Sequence, residues 1–193
     1  AHLCELTHFP IAEMDAFAVT VGPGSFTGVR IGAALVKGLA FGRNIPCVGV
    51  STLEALAENL AGLPGLLLPV MDARRAQVYT ATFRSENGVP VRLSPDRAVA
   101  IDALVDELRD AKEAVLPVGD GTAPVLAALR KAGIPCLEVP VILLAENAVS
   151  VGRVAYRKYL AGEATDDEAL RPTYLRLPQA ERERLAKEGQ NQD

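Results

Sequence analysis

The apolar positions of this chain fall in short blocks separated by glycine- and proline-rich breaks. Phe17 to Val21 is apolar except for Thr20, and with Asp15 and Ala16 it predicts a strand. The run stops at Gly22-Pro23-Gly24. From Phe26 to Gly42 the spacing turns helical, and Ala33, Ala34, Gly38 and Ala40 are all small. Small side chains permit close approach, either onto a sheet or onto another helix. Ile45 to Val50 predicts a second, buried strand. Ser51-Thr-Leu-Glu54 carries the capping-box pattern and predicts a helix through Leu60. The order strand, helix, strand, helix predicts parallel strands in an α/β unit.

Gly62-Leu-Pro-Gly65 breaks the pattern and reads as a boundary between two lobes. Leu66 to Met71 predicts a central strand, and Asp72-Ala-Arg-Arg75 a polar turn. Gln77 to Phe83 predicts a further strand, Asn87-Gly88 a hairpin turn, and Val89 to Leu93 the returning strand. The second lobe is thus expected to begin with a meander of three antiparallel strands. Ile101 to Lys112 predicts an amphipathic helix and Ala114 to Val118 a strand. Gly119-Asp-Gly-Thr122 then opens a helix from Ala123 to Ala132, with Thr122 as its expected N-cap. Leu144 to Leu160 predicts a long helix, 164–169 an acidic linker and Pro172 to Leu177 an extended segment. Gln179 to Glu188 predicts a charged helix, and the last five residues are expected to fray. The organisation expected is a first lobe over 1–63, a second over 64–163, and a terminal segment over 164–193.

The Gly22 to Gly32 stretch carries the main candidate chemistry. A strand that turns through glycines into a helix leaves backbone N–H groups free at the helix start, where the helix dipole favours an anion. Gly22, Gly24, Ser25, Thr27, Gly28 and Arg30 form this candidate anion or nucleotide loop. The same glycines also serve a plain strand-to-helix turn. No Gly-Lys-Ser/Thr follows, and the glycine spacing is not Gly-x-Gly-x-x-Gly, so neither common phosphate motif is present. Gly119 to Thr122 repeats the device, with Asp120 suited to a cation or a ribose hydroxyl, or to a tight turn only. Arg153, Tyr156, Arg157 and Lys158 cluster on one predicted helix, as a solvated face or a phosphate contact.

Composition narrows the classes. The 193 residues are 49% hydrophobic and 23% charged, as in an ordinary globular protein. A net charge of -4 offers no general basic surface to a nucleic acid, so any such contact needs a local patch. There is no apolar run of about 18 residues, so no membrane partner is expected. Cys4, Cys47 and Cys136 are scattered and read as buried thiols of a reducing cytoplasm. His2 and His8 both lie in the first eight residues, so no histidine-based metal site is expected. Ser25 lacks a plausible histidine partner and the Gly-x-Ser-x-Gly setting of a hydrolase.

Gly22-Pro-Gly-Ser-Phe-Thr-Gly-Val-Arg-Ile-Gly32, Lys37-Gly-Leu-Ala40 and Ile45-Pro-Cys-Val-Gly-Val-Ser-Thr-Leu-Glu-Ala-Leu56 closely resemble the TsaB (YeaZ) family. Met71-Asp-Ala-Arg-Arg75, Val78-Tyr79 and Arg171-Pro-Thr-Tyr-Leu-Arg176 agree with it. The resemblance implies an α/β protein of the actin-like ATPase (ASKHA) superfold, two lobes of mixed sheet plus helices. It implies a non-catalytic scaffold that pairs with the catalytic subunit TsaD, with TsaE joining the complex and tRNA engaged indirectly. A homodimer is expected when the chain is alone. TsaD carries two metal-binding histidines on the helix after the equivalent short strand. Val50 to Leu56 has none here. No cofactor is expected, ATP or ADP at the partner interface being the exception. Val29, Ala33, Val36, Lys37 and Ala40 are the expected interface residues. A nucleotide-binding ASKHA protein and a protease-like hydrolase are the alternatives. Relatives usually carry a further N-terminal portion of three strands and most of a helix. Ala1-His-Leu-Cys-Glu-Leu-Thr7 reads as the end of that helix, and absence of the rest is expected to leave a sheet edge open.

Overall fold

The computed structural model describes residues 2–176. A short helix α1 (His2–Thr7) leads to strand β1 (Phe17–Gly22), helix α2 (Phe26–Ala40) and strand β2 (Cys47–Ser51). β1 and β2 pair in parallel, with Phe17 opposite Cys47 and Thr20 opposite Val50. Alternation sends Phe17, Val19 and Val21 toward Val36 and Ala40 of α2. Val48 and Val50 pack on the other face against Val154 and Ala155 of α6 (Ala148–Leu160). Among the described residues β1 pairs with β2 alone.

Helix α3 (Thr52–Glu58) joins the lobes and is buried along almost its whole length. Ser51 Oγ accepts from Glu54 N, which is half of the expected capping box. The other half is diverted, because the Glu54 carboxylate pairs with Lys158 of α6 at 3.5 Å. Leu53, Leu56 and Leu60 face the second lobe and are fully buried. Truncating any of them to alanine costs about 2–5 kcal/mol. On its other side buried Glu58 accepts from Arg157 of α6 at 3.2 Å. Asn59 ties the same helices, donating to Leu143 O and Ala145 O and accepting from Asn147 and Ser150.

The second lobe is built on β3 (Leu66–Asp72). It pairs with β4 (Gln77–Thr80), β5 (Phe83–Glu86) and, in parallel, β8 (Val115–Val118). Strands β6 (Val89–Arg92) and β7 (Arg97–Ala100) complete the order β6-β5-β3-β4-β7. Leu67 and Met71 of β3 face α3, whereas Leu68 and Val70 face α4 (Ile101–Glu107) and α5 (Thr122–Lys131). The sheet is thus covered on both faces.

This replaces the expected meander. The run from Gln77 to Phe83 is two strands because Thr82 leaves the ladder. Its N–H and hydroxyl bond to Ser94 Oγ at 2.8 and 2.9 Å. Strand β7 was not anticipated. The long helix starts at Ala148, where Asn147 accepts from Ser150 N at 2.9 Å, and a short 3-10 turn at Val141–Leu143 precedes it. Thr122 lies inside α5 and caps nothing. Cys47 is buried as expected, but Cys4 and Cys136 are only half-buried. The expected helix over Gln179 to Glu188 and the frayed end lie outside the described residues.

Candidate functional site

The loop after β1 turns through a cis Gly22-Pro23 bond into α2. Ser25 Oγ accepts from Gly28 N at 3.3 Å, so the chain's own side chain takes one of the free donors. Gly24, Ser25, Thr27 and Gly28 are exposed. Gly22 is not. Its φ is +123°, and a methyl group there would collide with Thr173 O.

Thr173 belongs to a strap formed by residues 165–176, which crosses α2. Lys37 Nζ donates to Glu168 O and Leu170 O, Leu170 is buried in the first-lobe core, and Thr173 N donates to Val21 O at 2.7 Å. Arg30 Nε then donates to Tyr174 OH at 2.9 Å, and its guanidinium lies 3.9 Å from the centre of the Phe26 ring. Such a cation–π contact contributes about 0.5–1 kcal/mol at an exposed site. Arg30 therefore holds the strap. From sequence it stands in a stretch that suits either an anion loop or a plain strand-to-helix turn. Arg176 ends the strap at the second lobe, donating to Ala73 O at 2.6 Å beside the Tyr79 ring.

The strap and loop face the turn between β3 and β4 across a cleft of about 370 Å³. The turn is strained. Arg74, Arg75 and Ala76 have φ of 65°, 56° and 53°. Left-handed backbone costs about 1–2 kcal/mol at each such L residue. Asp72 helps to fix it, accepting from Arg74 N at 2.7 Å, and Asp120 Oδ1 accepts from Asp72 N at 2.9 Å. A connected recess of about 350 Å³ shares Ser25 and Asp120 and reaches Thr52 and Glu146. Desolvation against its wall, and then the Asp120 carboxylate, raise the Glu146 pKa. Neither histidine lines the cleft or the recess. Cys47 is fully buried, and desolvation, then Asp167, raise its pKa, so it is no thiolate nucleophile at neutral pH. Among the described residues no group of three His, Cys, Asp or Glu is placed to hold a metal ion.

The expected interface set is corrected by the packing of α2. Ala33, Val36 and Ala40 point into the chain's own core, at 3%, 8% and 2% exposure. Val29 is half-buried and Lys37 is engaged by the strap. The helix meets the sheet through Ala33, Val36 and Ala40, and several large apolar residues are left outside. Ile31, Leu35 and Phe41 are 64%, 61% and 77% exposed, with Ala34 and Gly38 between them. Ile31, Ala34, Leu35 and Gly38 recur at helical spacing and share one face of α2, and Phe41 follows as its C-cap.

The family model described as TsaD: tRNA N6-adenosine threonylcarbamoyltransferase matches residues 2–184. The tRNA threonylcarbamoyladenosine biosynthesis protein TsaB of Bacillus subtilis is 36% identical over 171 residues, which are 88% of this chain and 72% of that protein. The protein of the same name from Escherichia coli is 30% identical over 169 residues, 86% of this chain and 72% of that one. A Pseudomonas aeruginosa protein, described as uncharacterised with similarity to peptidase YEAZ, superposes with a TM-score of 0.78 at 25% identity, over 91% of this chain and 80% of its own. YeaZ from the same organism superposes at 0.76 and 24% identity, over 89% and 79%. Two lobes, each with a sheet, flanking helices and a strand–glycine–helix junction, make this an actin-like ATPase (ASKHA) fold. Within it the chain belongs to the TsaB (YeaZ) family.

Proposed function

We propose that this chain is the non-catalytic scaffold subunit that pairs with TsaD in tRNA threonylcarbamoyladenosine biosynthesis. TsaD transfers the threonylcarbamoyl group to the adenosine beside the anticodon. The scaffold orders TsaD for that step, TsaE joins through the assembled complex, and tRNA is met indirectly. The work is cytoplasmic, and no helix of the described residues is long and apolar enough to cross a membrane. In the absence of TsaD the same surface serves a homodimer.

The exposed apolar face of α2 carries this reading. Ile31 and Leu35 stand in water beside Ala34 and Gly38, whose small size lets a second helix come close, and exposed Phe41 follows at the C-cap. Exposed apolar clusters of this kind are typical of protein interfaces. The test is the mass of the protein in solution, alone and mixed with TsaD from the same source. A TsaD complex is expected, and Ile31→Asp or Leu35→Asp abolishes it, and the homodimer with it, while circular dichroism shows the free chain still folded. A folded, full-length natural protein that fails to bind TsaD overturns the proposal.

A further inference from the structure

The exposed face of α2 is bordered by a cation that the chain's own contacts only half use. Arg30 Nε donates to Tyr174 OH, and one face of its guanidinium rests on the Phe26 ring. The Phe26 and Tyr174 rings stand 4.8 Å apart, so the three side chains hold one another in place. Nη1 and Nη2 have no hydrogen bond or ion pair with a described residue, and Arg30 is exposed. A guanidinium held at Nε and on one face keeps its Nη1–Nη2 fork for a carboxylate. Because ring and hydroxyl already fix it, little side-chain freedom is left to lose on binding.

Position makes this fork part of the face beside it. Arg30 and Ala34 are four residues apart and so are neighbours on the helix surface. The cation therefore borders the stripe of Ile31, Ala34, Leu35 and Gly38. The strap runs along the same border, where Lys37 is turned into its carbonyls. Arg30 lines neither the cleft nor the connected recess. A partner helix laid on the apolar stripe passes directly beside it. Helix α2 itself carries two cations, Arg30 and Lys37, and no carboxylate, so the α2 of a second copy has nothing to answer the fork with. The partner that answers it carries an acid at the edge of its docking surface.

We propose that Arg30 receives a carboxylate, an Asp or Glu side chain on the docking surface of TsaD, and that this pair favours TsaD over a second copy. Phe26 and Tyr174 are positioning residues that aim the guanidinium. Charge pairs at the edge of an interface set register and partner choice, while the apolar stripe supplies the buried area. The proposal rests on the scaffold reading and adds the chemistry of its interface. Ile31→Asp tests that reading and the Arg30 variants test the carboxylate, so the two can fail separately.

The experiment is calorimetric titration of the full-length protein with TsaD from the same source. Arg30→Gln is expected to weaken the complex by about tenfold or more, the loss of a charge-assisted contact. Arg30→Lys recovers only part of this, because it restores the charge without the fork. Tyr174→Phe keeps the ring and loses only the aim of the guanidinium, so a smaller loss of about threefold is expected. The affinity of the parent falls as sodium chloride rises from about 50 to 500 mM, and that of Arg30→Gln falls less. Changing the surface carboxylates of TsaD singly to amides is expected to find one whose effect is not additive with Arg30→Gln. Arg30→Gln that binds TsaD as tightly as the parent, while Ile31→Asp does not bind, overturns the proposal and leaves the scaffold reading standing. A loss in Tyr174→Phe equal to that in Arg30→Gln also overturns it, since the strap alone would then be at work. So does Arg30→Gln that weakens self-association of the free chain as much as the TsaD complex, which would put a second copy on the fork.

Discussion

At the β1–α2 junction Ser25 Oγ accepts from Gly28 N, and Gly24 and Gly28 stand in solvent. At the β8–α5 junction no side chain caps the helix, and Gly119 and Gly121 press against the backbone of Val70 and Met71. Read as sequence the two junctions look alike, a strand, two glycines and a hydroxyl residue before a helix. The first is held by hydrogen bonding and by the strap over Gly22. The second is held by packing, and Thr122 Oγ1 is left buried without a partner. Glycine at the first is required only where Thr173 crosses. Glycine at the second is required because β3 runs directly against it.

The largest effect that tests this contrast is expected at Gly119. Its φ is +120°, and a methyl group there would strike Val70 O, in the middle of the central strand. Gly119→Ala is expected to cost about 4 kcal/mol or more, or to prevent folding. Gly24→Ala is its control. Its φ is not left-handed, and the added methyl meets only the Val29 side chain at 3.3 Å, so a change within about 0.5 kcal/mol is expected in urea unfolding. Equal losses at the two positions would end the distinction.

The hydroxyl residues carry the next effect, with opposite signs. Ser25→Ala removes a long cap bond and is expected to destabilise by about 0.5–1 kcal/mol. Thr122→Val replaces a buried, unpartnered hydroxyl with a methyl group of similar shape. It is expected to stabilise by about 1 kcal/mol. A loss of stability in Thr122→Val would mean that the hydroxyl has a partner, and the second junction would then resemble the first.

The same contrast explains what the sequence discloses. Strands β1, β2, β3 and β8, and helices α2 and α5, follow from local apolar runs ended by glycine or proline. Each is decided by residues within one turn or one strand. The strap is not local. Thr173 N to Val21 O, Arg30 to Tyr174 and Arg176 to Ala73 O are contacts between distant segments, which no spacing rule predicts. The contact of Arg30 with Tyr174, 144 positions away, is invisible to local spacing. The faces of α2 were exchanged for a similar reason. Ala33 and Ala40 look as free to meet another helix as Ala34 and Gly38, and only the sheet's position shows which pair is already used. Strand β7 was missed because Arg97-Ala-Val-Ala100 is too short to show a period, and its identity comes from pairing with β4.

The smallest expected effect lies where the two junctions meet. Glu146 lines the recess beside Ser25 of the first junction and faces Asp120 of the second. Its pKa is raised by desolvation first and by Asp120 second. A carboxyl with a raised folded pKa opposes folding when it is ionised. That cost is full above the folded pKa and absent below the ordinary Glu value of 4.5, where folded and unfolded chains both hold the proton. Glu146→Gln is therefore expected to raise stability at pH 7, and the gain to shrink and vanish as the pH falls through the folded pKa toward 4. Thermal unfolding of both proteins across that range measures it. Asp120→Asn keeps the acceptor for Asp72 N and removes only the charge, so it is expected to recover the smaller part of the gain. If Asp120→Asn recovers all of it, the charge of the second junction sets the titration. If it recovers none, the recess wall at the first junction acts alone, and the two junctions are electrostatically independent.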